Sequence, residues 1–290
     1  MQAFKWVSRV AALAVRPFAV ALVLTAALLN DAVMGSLAEL FAKSDPELTL
    51  AATTTEVTVD SQLMRVSAVD KDYAFSMPGP DIYRFEVLKN DFGWSGDAKA
   101  DNRRSELVSE GDRYFSGETL WSSFSFVVGP EHIPFDDGGN DHNTITQWHS
   151  VDTDVGRSPV FAIQLNAGDL VVTTRSDKKD SGRRSQVHYS EPRPTDGKVH
   201  NVVVSGLLGK EGHLDMWLDG TQIVNADTPI GYYNDDDGER ALAYPHWGIY
   251  QDNVDDPAVL YHSNMEWGLT ELSPRVQRPL EVVEPPGGWV

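Results

Sequence analysis

One short stretch of the chain carries polar side chains at a spacing suited to chemistry on a sheet surface. Alternation along a strand sends Ile145, Gln147 and His149 to one face and the intervening residues to the other. An amide and an imidazole two residues apart then face the same space. A half-exposed sheet face with no chemical role explains the pair equally well.

Short β-type segments separated by turn-rich pieces, such as Gly93–Asp97, run through the chain from Glu56 onward. No long helical period follows Glu56, so this pattern predicts an all-β fold, a β-sandwich or jelly roll of two antiparallel sheets. The predicted strands are Val57–Val59, Tyr83–Leu88, Ser105–Val108, Trp121–Val128, Thr144–Val151, Val160–Leu165, Leu170–Thr174, Gln186–Tyr189, His200–Gly206, His213–Leu218, Gln222–Asn225, Trp247–Gln251 and Asn264–Thr270.

Composition limits the classes of function open to the chain. The 290 residues are 41% hydrophobic, which is enough to bury a large core in one main domain. The absence of cysteine excludes a disulfide framework, a thiolate metal site and a cysteine nucleophile. A net charge of -19 argues against nucleic acid or an anionic membrane as the partner.

The amino terminus has the pattern of an export signal. Lys5, Arg9 and Arg16 precede an apolar run, Pro17–Leu29, which is short for a membrane span of roughly 20 residues. We expect a secreted or periplasmic protein, associated with a membrane only if this segment stays uncleaved as an anchor. The predicted organisation is a leader over residues 1–52, a β-domain over 53–275 and a tail over 276–290.

Four motifs, in this order, give the chain a family resemblance: Tyr83–Val87, Arg103–Leu107, Gln147–His149 and His246–Gln251. The chain resembles the jelly-roll polysaccharide lyases of the heparin-lyase-like and glucuronan-lyase-like group, and shares three core motifs with the jelly-roll alginate lyases. The resemblance covers roughly residues 80 to 270. It implies a concanavalin-like sandwich with a concave substrate cleft, and an exported lyase that cleaves a uronate-containing, glucuronan-like or alginate-like polysaccharide by β-elimination.

β-Elimination at a uronate explains why such a site needs these residue types. The enzyme must remove the proton on C5, next to a carboxylate, and expel the sugar oxygen on C4. Because negative charge accumulates on the carboxylate in the transition state, hydrogen bonds or positive charge must be supplied there. An acid and a base then handle the two protons, and histidine and tyrosine suit these tasks.

The resemblance assigns roles to five residues. Arg104 and Gln147 correspond to the family's groups that bind the substrate carboxylate, and Glu106 would hold Arg104 in place. His149 corresponds to the candidate base, and Tyr250 to the tyrosine that donates to the leaving oxygen and takes the C5 proton on some substrates. A plain salt bridge of Arg104 with Glu106, and a buried aromatic role for Tyr250, are the alternatives.

Further residues on the same strands and loops are predicted to bind the substrate. His246 stands where heparin-type and alginate-type relatives commonly carry lysine, so a titratable group replaces a permanent cation. Gly248 is expected to leave open space beside the Tyr250 ring. The predicted substrate-binding residues are Arg103, His246, Gln251, Gln164 and Arg175.

No metal or cofactor enters the predicted mechanism. The acidic turns Asp136-Asp137 and Asp235–Asp237 offer hard oxygen ligands for a structural calcium ion, although such turns are usually only solvated. The expected partner is an anionic polysaccharide bound by a monomer.

Two other classes of function compete with a lyase. One is a non-catalytic carbohydrate-binding sandwich, and the other is a glycoside hydrolase of similar fold. A retaining hydrolase needs two carboxylates about 5 Å apart. Asp215 and Asp219 are four residues apart on one strand, which separates them by about 13 Å and disfavours the hydrolase.

Overall fold

Segments rich in β-branched and aromatic residues pair into two antiparallel sheets, as their alternation predicts. The structure is a computed structural model that describes residues 55–128, 143–150, 158–166, 168–177, 183–194, 196–232, 241–285 and 288–289. The predicted all-β sandwich is confirmed. Neither of the two short helices in these ranges has the length or the apolar character of a membrane span.

The first sheet, which we call the catalytic sheet, carries three of the four motifs, and the fourth, Tyr83–Val87, lies on the second sheet. Its spatial order is β1 (Glu56–Val59), β2 (Gln62–Ala68), β5 (Asn102–Ser109), β15 (Ala241–Asp252), β8 (Asn143–His149), β9 (Phe161–Asn166), β10 (Asp169–Asp177) and β11 (Arg183–Pro192), with β6 (Tyr114–Phe115) also paired to β15. The three strands β5, β15 and β8 are therefore adjacent at its centre.

The second sheet packs behind the catalytic sheet. Its order is β14 (Thr221–Asp227), β13 (His213–Leu218), β12 (His200–Leu207), β7 (Thr119–Val128), β16 (Ala258–Gly268), β4 (Ile82–Val87) and β3 (Phe75–Gly79). Helix α1 (Asp97–Ala100) precedes β5, and helix α2 (Pro274–Gln277) follows β16.

Alternation divides each central strand between the core and the cleft. Trp148 and Trp247 are fully buried and belong to the hydrophobic core between the sheets, together with Leu107 of β5. Their sequence neighbours Gln147, His246 and Glu106 therefore lie on the opposite face of the catalytic sheet. That face is the candidate cleft.

A β-bulge interrupts the alternation at the centre of the catalytic sheet. Between the pairs Trp247↔Thr146 and Tyr250↔Thr144, two residues of β15 lie opposite the single residue Ile145 of β8. Ile145 is consequently part of the hydrophobic core. The expectation that it shares a face with Gln147 was wrong, because the pairing of β8 with β9 also shifts between Thr144 and Thr146, which interrupts the alternation of β8 itself.

Gly248 is the residue that the bulge requires. Its φ of 132° lies in a region that other residues rarely adopt, and a Cβ there would come within 2.3 Å of the Ser105 carbonyl oxygen and 2.9 Å of Phe85 Cδ1. The predicted open space beside Tyr250 was therefore wrong. Glycine is needed at this position because the backbone of β5 and a core ring lie too close for a side chain.

A buried histidine of the second sheet supports the bulge. The Nε2–H group of His262, on β16, donates to the carbonyl oxygen of Ile145 at 2.9 Å. A bulge leaves backbone groups outside the regular ladder, and a buried carbonyl needs a partner. His262 supplies that partner across the core and so fixes the start of the segment that carries Gln147 and His149.

Candidate active site

Arg104 is held at the centre of the cleft face by two carboxylates. Asp97, at the start of α1, accepts hydrogen bonds from its Nε (2.9 Å) and Nη2 (2.7 Å). Glu106, two residues further along β5, accepts from Nη1 at 3.1 Å. The guanidinium carbon lies 4.5 Å from the centroid of the Tyr250 ring, within the range of a cation–π contact.

Glu106 connects three predicted site residues. One of its oxygens accepts from Nε2 of Gln147 at 2.5 Å, and the other faces Arg104 Nη1 and Nδ1 of His246 at 3.5 Å. Burial raises the pKa of Glu106, but Arg104, His246 and Gln147 outweigh burial and hold the pKa below its ordinary value. Glu106 is therefore an ionised carboxylate at neutral pH, although it is only 1% exposed.

His149 presents an unprotonated nitrogen to the cleft face. Its Nδ1 lies 2.8 Å from the carbonyl oxygen of Ser150, which can only accept, so Nδ1 carries the proton and Nε2 does not. Burial, followed by the neighbouring His246, lowers the pKa of His149 to about 4. The ring is therefore neutral at neutral pH, as a general base must be.

His246 is also neutral in the free protein, although a carboxylate lies beside it. Burial lowers its pKa, and Glu106, which attracts the proton, compensates only in part. Nδ1–H points at Glu106, while Nε2 is buried and has no hydrogen-bond partner within the described part of the chain. A ligand group that reaches Nε2 would therefore meet an unsatisfied nitrogen.

Tyr250 has the polar surroundings expected of a proton-transfer group. The side-chain amide of Asn102 donates a hydrogen bond to its hydroxyl oxygen, and Arg104 covers its ring. Burial raises the pKa of Tyr250, while Arg104 and the Asn102 hydrogen bond act in the opposite direction. Asn102 was not predicted, although alternation along β5 places it on the same face as Arg104 and Glu106.

The structure thus brings together six predicted residues: Arg104, Glu106, Gln147, His149, His246 and Tyr250. They come from β5, β15 and β8, whose pairing places Tyr250 opposite Arg104 and His246 opposite Gln147. Besides Asn102, the site contains Asp97, which the sequence did not predict. Asp97 lies outside the strands, where periodicity does not indicate which side chains are in contact.

Two predicted substrate-binding residues lie on the face opposite the cleft. Arg103 is fully buried and donates to the carbonyl oxygens of Val254 (3.0 Å) and Asp256 (2.5 Å). Gln251 is 1% exposed and lies against Arg103, from which its amide oxygen accepts at 2.6 Å in the orientation that satisfies both groups. Because adjacent strand residues point to opposite faces, Arg103 and Gln251 turn away from the cleft and support the loop after β15 instead.

The remaining predicted contacts lie further along the catalytic sheet. Gln164, on β9, donates to the hydroxyl of Thr144 at 3.3 Å, and Arg175, on β10, donates to the carbonyl oxygen of Pro159 at 3.3 Å. Both strands lie beyond β8 as seen from Tyr250. Substrate binding by Gln164 and Arg175 stays a prediction.

The described residues contain no group of three or more histidine, aspartate or glutamate side chains arranged to hold a metal ion. The acidic turns Asp136-Asp137 and Asp235–Asp237, named as candidate calcium ligands, lie outside the described residues. Asp215, considered for a hydrolase, belongs to the second sheet, where it accepts hydrogen bonds from Gln222 and Asn225.

Comparisons with known proteins support the fold. The fold is similar to the crystal structure of an endo-β-1,4-glucuronan lyase from the fungus Trichoderma reesei, with a TM-score of 0.52, 16% identity, and coverage of 76% of this chain and 92% of that chain. It is also similar to family 7 alginate lyase A1-II′ in complex with a substrate (GGMG), with a TM-score of 0.51, 14% identity, and coverage of 71% and 85%. No curated protein sequence is significantly similar to the chain.

At such identities the structural likeness shows a shared fold, the β-jelly roll. The family is identified from the sequence. A family model described as polysaccharide lyase matches residues 52–266, which is more than half of the chain. The chain therefore belongs to the polysaccharide lyase family.

Proposed function

We propose that this polysaccharide lyase cleaves a polyuronide, glucuronan-like or alginate-like, by β-elimination at the cleft face of the catalytic sheet. The observation that carries the proposal is the placement of a tyrosine hydroxyl, a neutral imidazole and a carboxylate-bound guanidinium on one face. These groups are Tyr250, His149 and Arg104. They match the acid, the base and the electrostatic group that elimination beside a carboxylate requires.

Tyr250 is the proposed donor to the leaving oxygen on C4. Its hydroxyl is held by Asn102, and Arg104 over its ring stabilises the phenolate that remains after the proton has left. Where the C5 proton lies on the same side of the sugar as the C4 oxygen, Tyr250 starts as the phenolate, removes the C5 proton and then donates that proton to the leaving oxygen. A single residue then handles both proton transfers and is returned to the phenolate.

His149 is the proposed base for the opposite geometry. In guluronate-type units the C5 proton and the C4 oxygen leave from opposite sides, so one residue cannot reach both. Nε2 of His149 is unprotonated, because Nδ1 donates to Ser150, and it can therefore accept the proton.

Charge balance indicates how the substrate carboxylate is bound. Arg104 is shared between Asp97 and Glu106, so these three groups together carry one negative charge. A uronate bound beside them needs further compensation. The second N–H of Gln147 supplies a hydrogen bond, and Nε2 of His246 supplies a positive charge once it takes up a proton.

Two observations support a polyuronide as the substrate. The site can bind a carboxylate, and the structural neighbours are a glucuronan lyase and an alginate lyase. Export is part of the proposal and is supported by the basic residues before the apolar run Pro17–Leu29. Cell fractionation that finds the full-length chain retained in the cytoplasm would contradict export.

A substrate panel tests the proposed function. Purified protein is incubated with glucuronan, polymannuronate, polyguluronate and heparin, and the ultraviolet absorbance of the unsaturated product is followed. We expect absorbance to rise with at least one unsulfated polyuronide and to be lost in Tyr250→Phe. A rise with heparin alone would contradict the proposed substrate class, and chain shortening without absorbance would contradict elimination.

A further inference from the structure

Asp97 combines burial, a place at the start of a helix and a paired contact with Arg104. It is 1% exposed, it lies in the first turn of α1, and its two oxygens bind two nitrogens of Arg104 side by side. A paired arrangement of this kind fixes the plane of a guanidinium as well as its position. A lone contact with Glu106 fixes only one nitrogen.

The turn before α1 is shaped to bring this carboxylate to Arg104. A Cβ at Gly93 would lie 3.1 Å from both Cγ and the carbonyl oxygen of Arg104, so the turn backbone packs directly on that residue. A Cβ at Gly96 would lie 2.0 Å from the Trp94 ring, which occupies that space instead. The backbone N–H of Asp97 donates to the Trp94 carbonyl oxygen at 3.0 Å and closes the turn.

The position of Arg104 matters because its guanidinium lies over the Tyr250 ring. Asp97 binds the edge formed by Nε and Nη2, and the guanidinium carbon lies 4.5 Å from the ring centroid. If Asp97 were absent, the remaining bond to Glu106 would permit the guanidinium to rotate off the ring. The phenolate form of Tyr250 would then lose its nearest positive charge.

We infer that Asp97 is a positioning residue of the lyase, which holds Arg104 over Tyr250 and thereby keeps the tyrosine able to exchange its proton. The inference rests on the proposed function for its kinetic consequence, but its structural consequence does not. Asp97 has two opposing effects on Tyr250, since its own negative charge raises the pKa of the phenol while its hold on Arg104 lowers it. The sign of the change on mutation therefore separates positioning from charge.

The test compares Asp97→Ala, Asp97→Asn and a matched control, Asp91→Asn. Asp91 is also buried and on the same connection, but it accepts hydrogen bonds from Tyr73 and from the backbone N–H of Leu88. The pKa of Tyr250 is measured by phenolate absorbance, as the difference between each protein and its Tyr250→Phe counterpart. This measurement needs no substrate, so it stands even if the proposed polyuronide is wrong.

In Asp97→Ala we expect the pKa of Tyr250 to rise and kcat to fall ~10-fold to 100-fold with KM little changed, the range typical of losing a group that orients a functional side chain. Asp97→Asn should recover only part of kcat, because its amide oxygen accepts from Arg104 but its NH2 group cannot accept the second hydrogen bond. Asp91→Asn should leave the pKa of Tyr250 unchanged. A lower pKa in Asp97→Ala would mean that only charge matters, and an unchanged pKa would mean a purely structural role; either result overturns the inference.

Discussion

The imidazole rings of His149 and His246 lie nearly parallel, with their centroids 5.3 Å apart and their planes 15° from each other. Two imidazolium ions at this separation repel each other, so the pair carries at most one proton readily. Glu106 faces His246, whereas His149 donates to a neutral carbonyl. We therefore expect the proton that compensates a substrate carboxylate to reside on His246, which leaves His149 neutral.

Replacing His246 by lysine tests that assignment through pH dependence. Burial keeps the pKa of His246 below its ordinary value in the free protein, and a bound carboxylate should raise it. If the charged form is the active one, kcat should fall as pH rises through the raised pKa, because kcat reports the pKa values of the enzyme with substrate bound. His246→Lys should extend the alkaline limb and leave the acid limb in place. An unchanged alkaline limb in an active His246→Lys protein would refute the charge role.

Several titratable and charged groups face His246 and influence its pKa. They are Glu106 and Arg104 on β5, Arg65 on β2, His149 on β8 and Tyr244 on its own strand. Arg113 lies over the Tyr244 ring, 4.5 Å from its centroid, and adds a further charge nearby. Arg65→Gln is a matched control, because it removes a nearby charge without touching the His246 ring, and it should shift the alkaline limb slightly upward.

Tyr250→Phe should remove the proton donor without emptying the site. We expect kcat to fall ~10²-fold to 10⁴-fold, as for the loss of acid–base catalysis, with KM little changed. Tyr73→Phe is the control, because Tyr73 donates to Asp91 outside the site and its loss should leave kcat unchanged. Losses of the same small size in both variants would favour a carbohydrate-binding role for the cleft.

His149→Ala should have an effect that depends on the stereochemistry of the substrate. On glucuronate or mannuronate units Tyr250 can transfer both protons, so we expect the loss to be mild. On guluronate units the proton must be removed from the opposite side, and the loss should approach that of Tyr250→Phe. Initial rates on polymannuronate and polyguluronate decide the matter, and equal losses on both polymers would count against this division of roles.

His262 should make the fold sensitive to acid. Burial lowers its pKa to about 3, whereas an unfolded histidine titrates near 6.5, so the unfolded state binds a proton that the folded state does not. Above pH 6.5 the protonation of His262 has no effect on stability. As pH falls from 6.5 toward 3, it reduces the free energy of unfolding by ~1.4 kcal/mol per pH unit. His262→Gln keeps a donor for the Ile145 carbonyl oxygen. It should make the free energy of unfolding less dependent on pH, by the amount that corresponds to about one bound proton.

Urea unfolding between pH 6.5 and 4 measures the slope for both proteins. His262→Leu serves as the comparison, because it also removes the titration but leaves the Ile145 carbonyl unpaired, so it should be less stable at neutral pH. A His262→Gln protein with the same slope as the original would show that the acid sensitivity arises elsewhere.

Periodicity predicted most of the catalytic sheet and failed where local geometry changes. Strand β3 was not predicted because Pro78 breaks the pattern, yet β3 lies at a sheet edge, where proline is tolerated. The alternation Met64, Val66, Ala68 of β2 is present in the sequence but was not recognised as a strand. The face of Ile145 was assigned wrongly because nothing in the local sequence marks the register shift of β8 between Thr144 and Thr146.

The candidate site was predictable to the extent that it lies on strands. Arg104, Gln147 and Tyr250 meet because their strands are neighbours and their faces follow from alternation. Arg103 lies on the face opposite Arg104, since adjacent residues of a strand point to opposite faces. Asp97 could not be predicted, because its partner is decided by how a turn folds back on β5.

The central claim is that this site breaks its polysaccharide by elimination, and the fate of solvent oxygen tests it most directly. The reaction is run in ¹⁸O-labelled water on the polyuronide that gives the fastest cleavage, and the products are analysed by mass spectrometry within the first few turnovers. We expect every new non-reducing end to carry a C4–C5 double bond and every new reducing end to lack the label, after correction for exchange in product incubated alone. Labelled, saturated product ends would contradict the account.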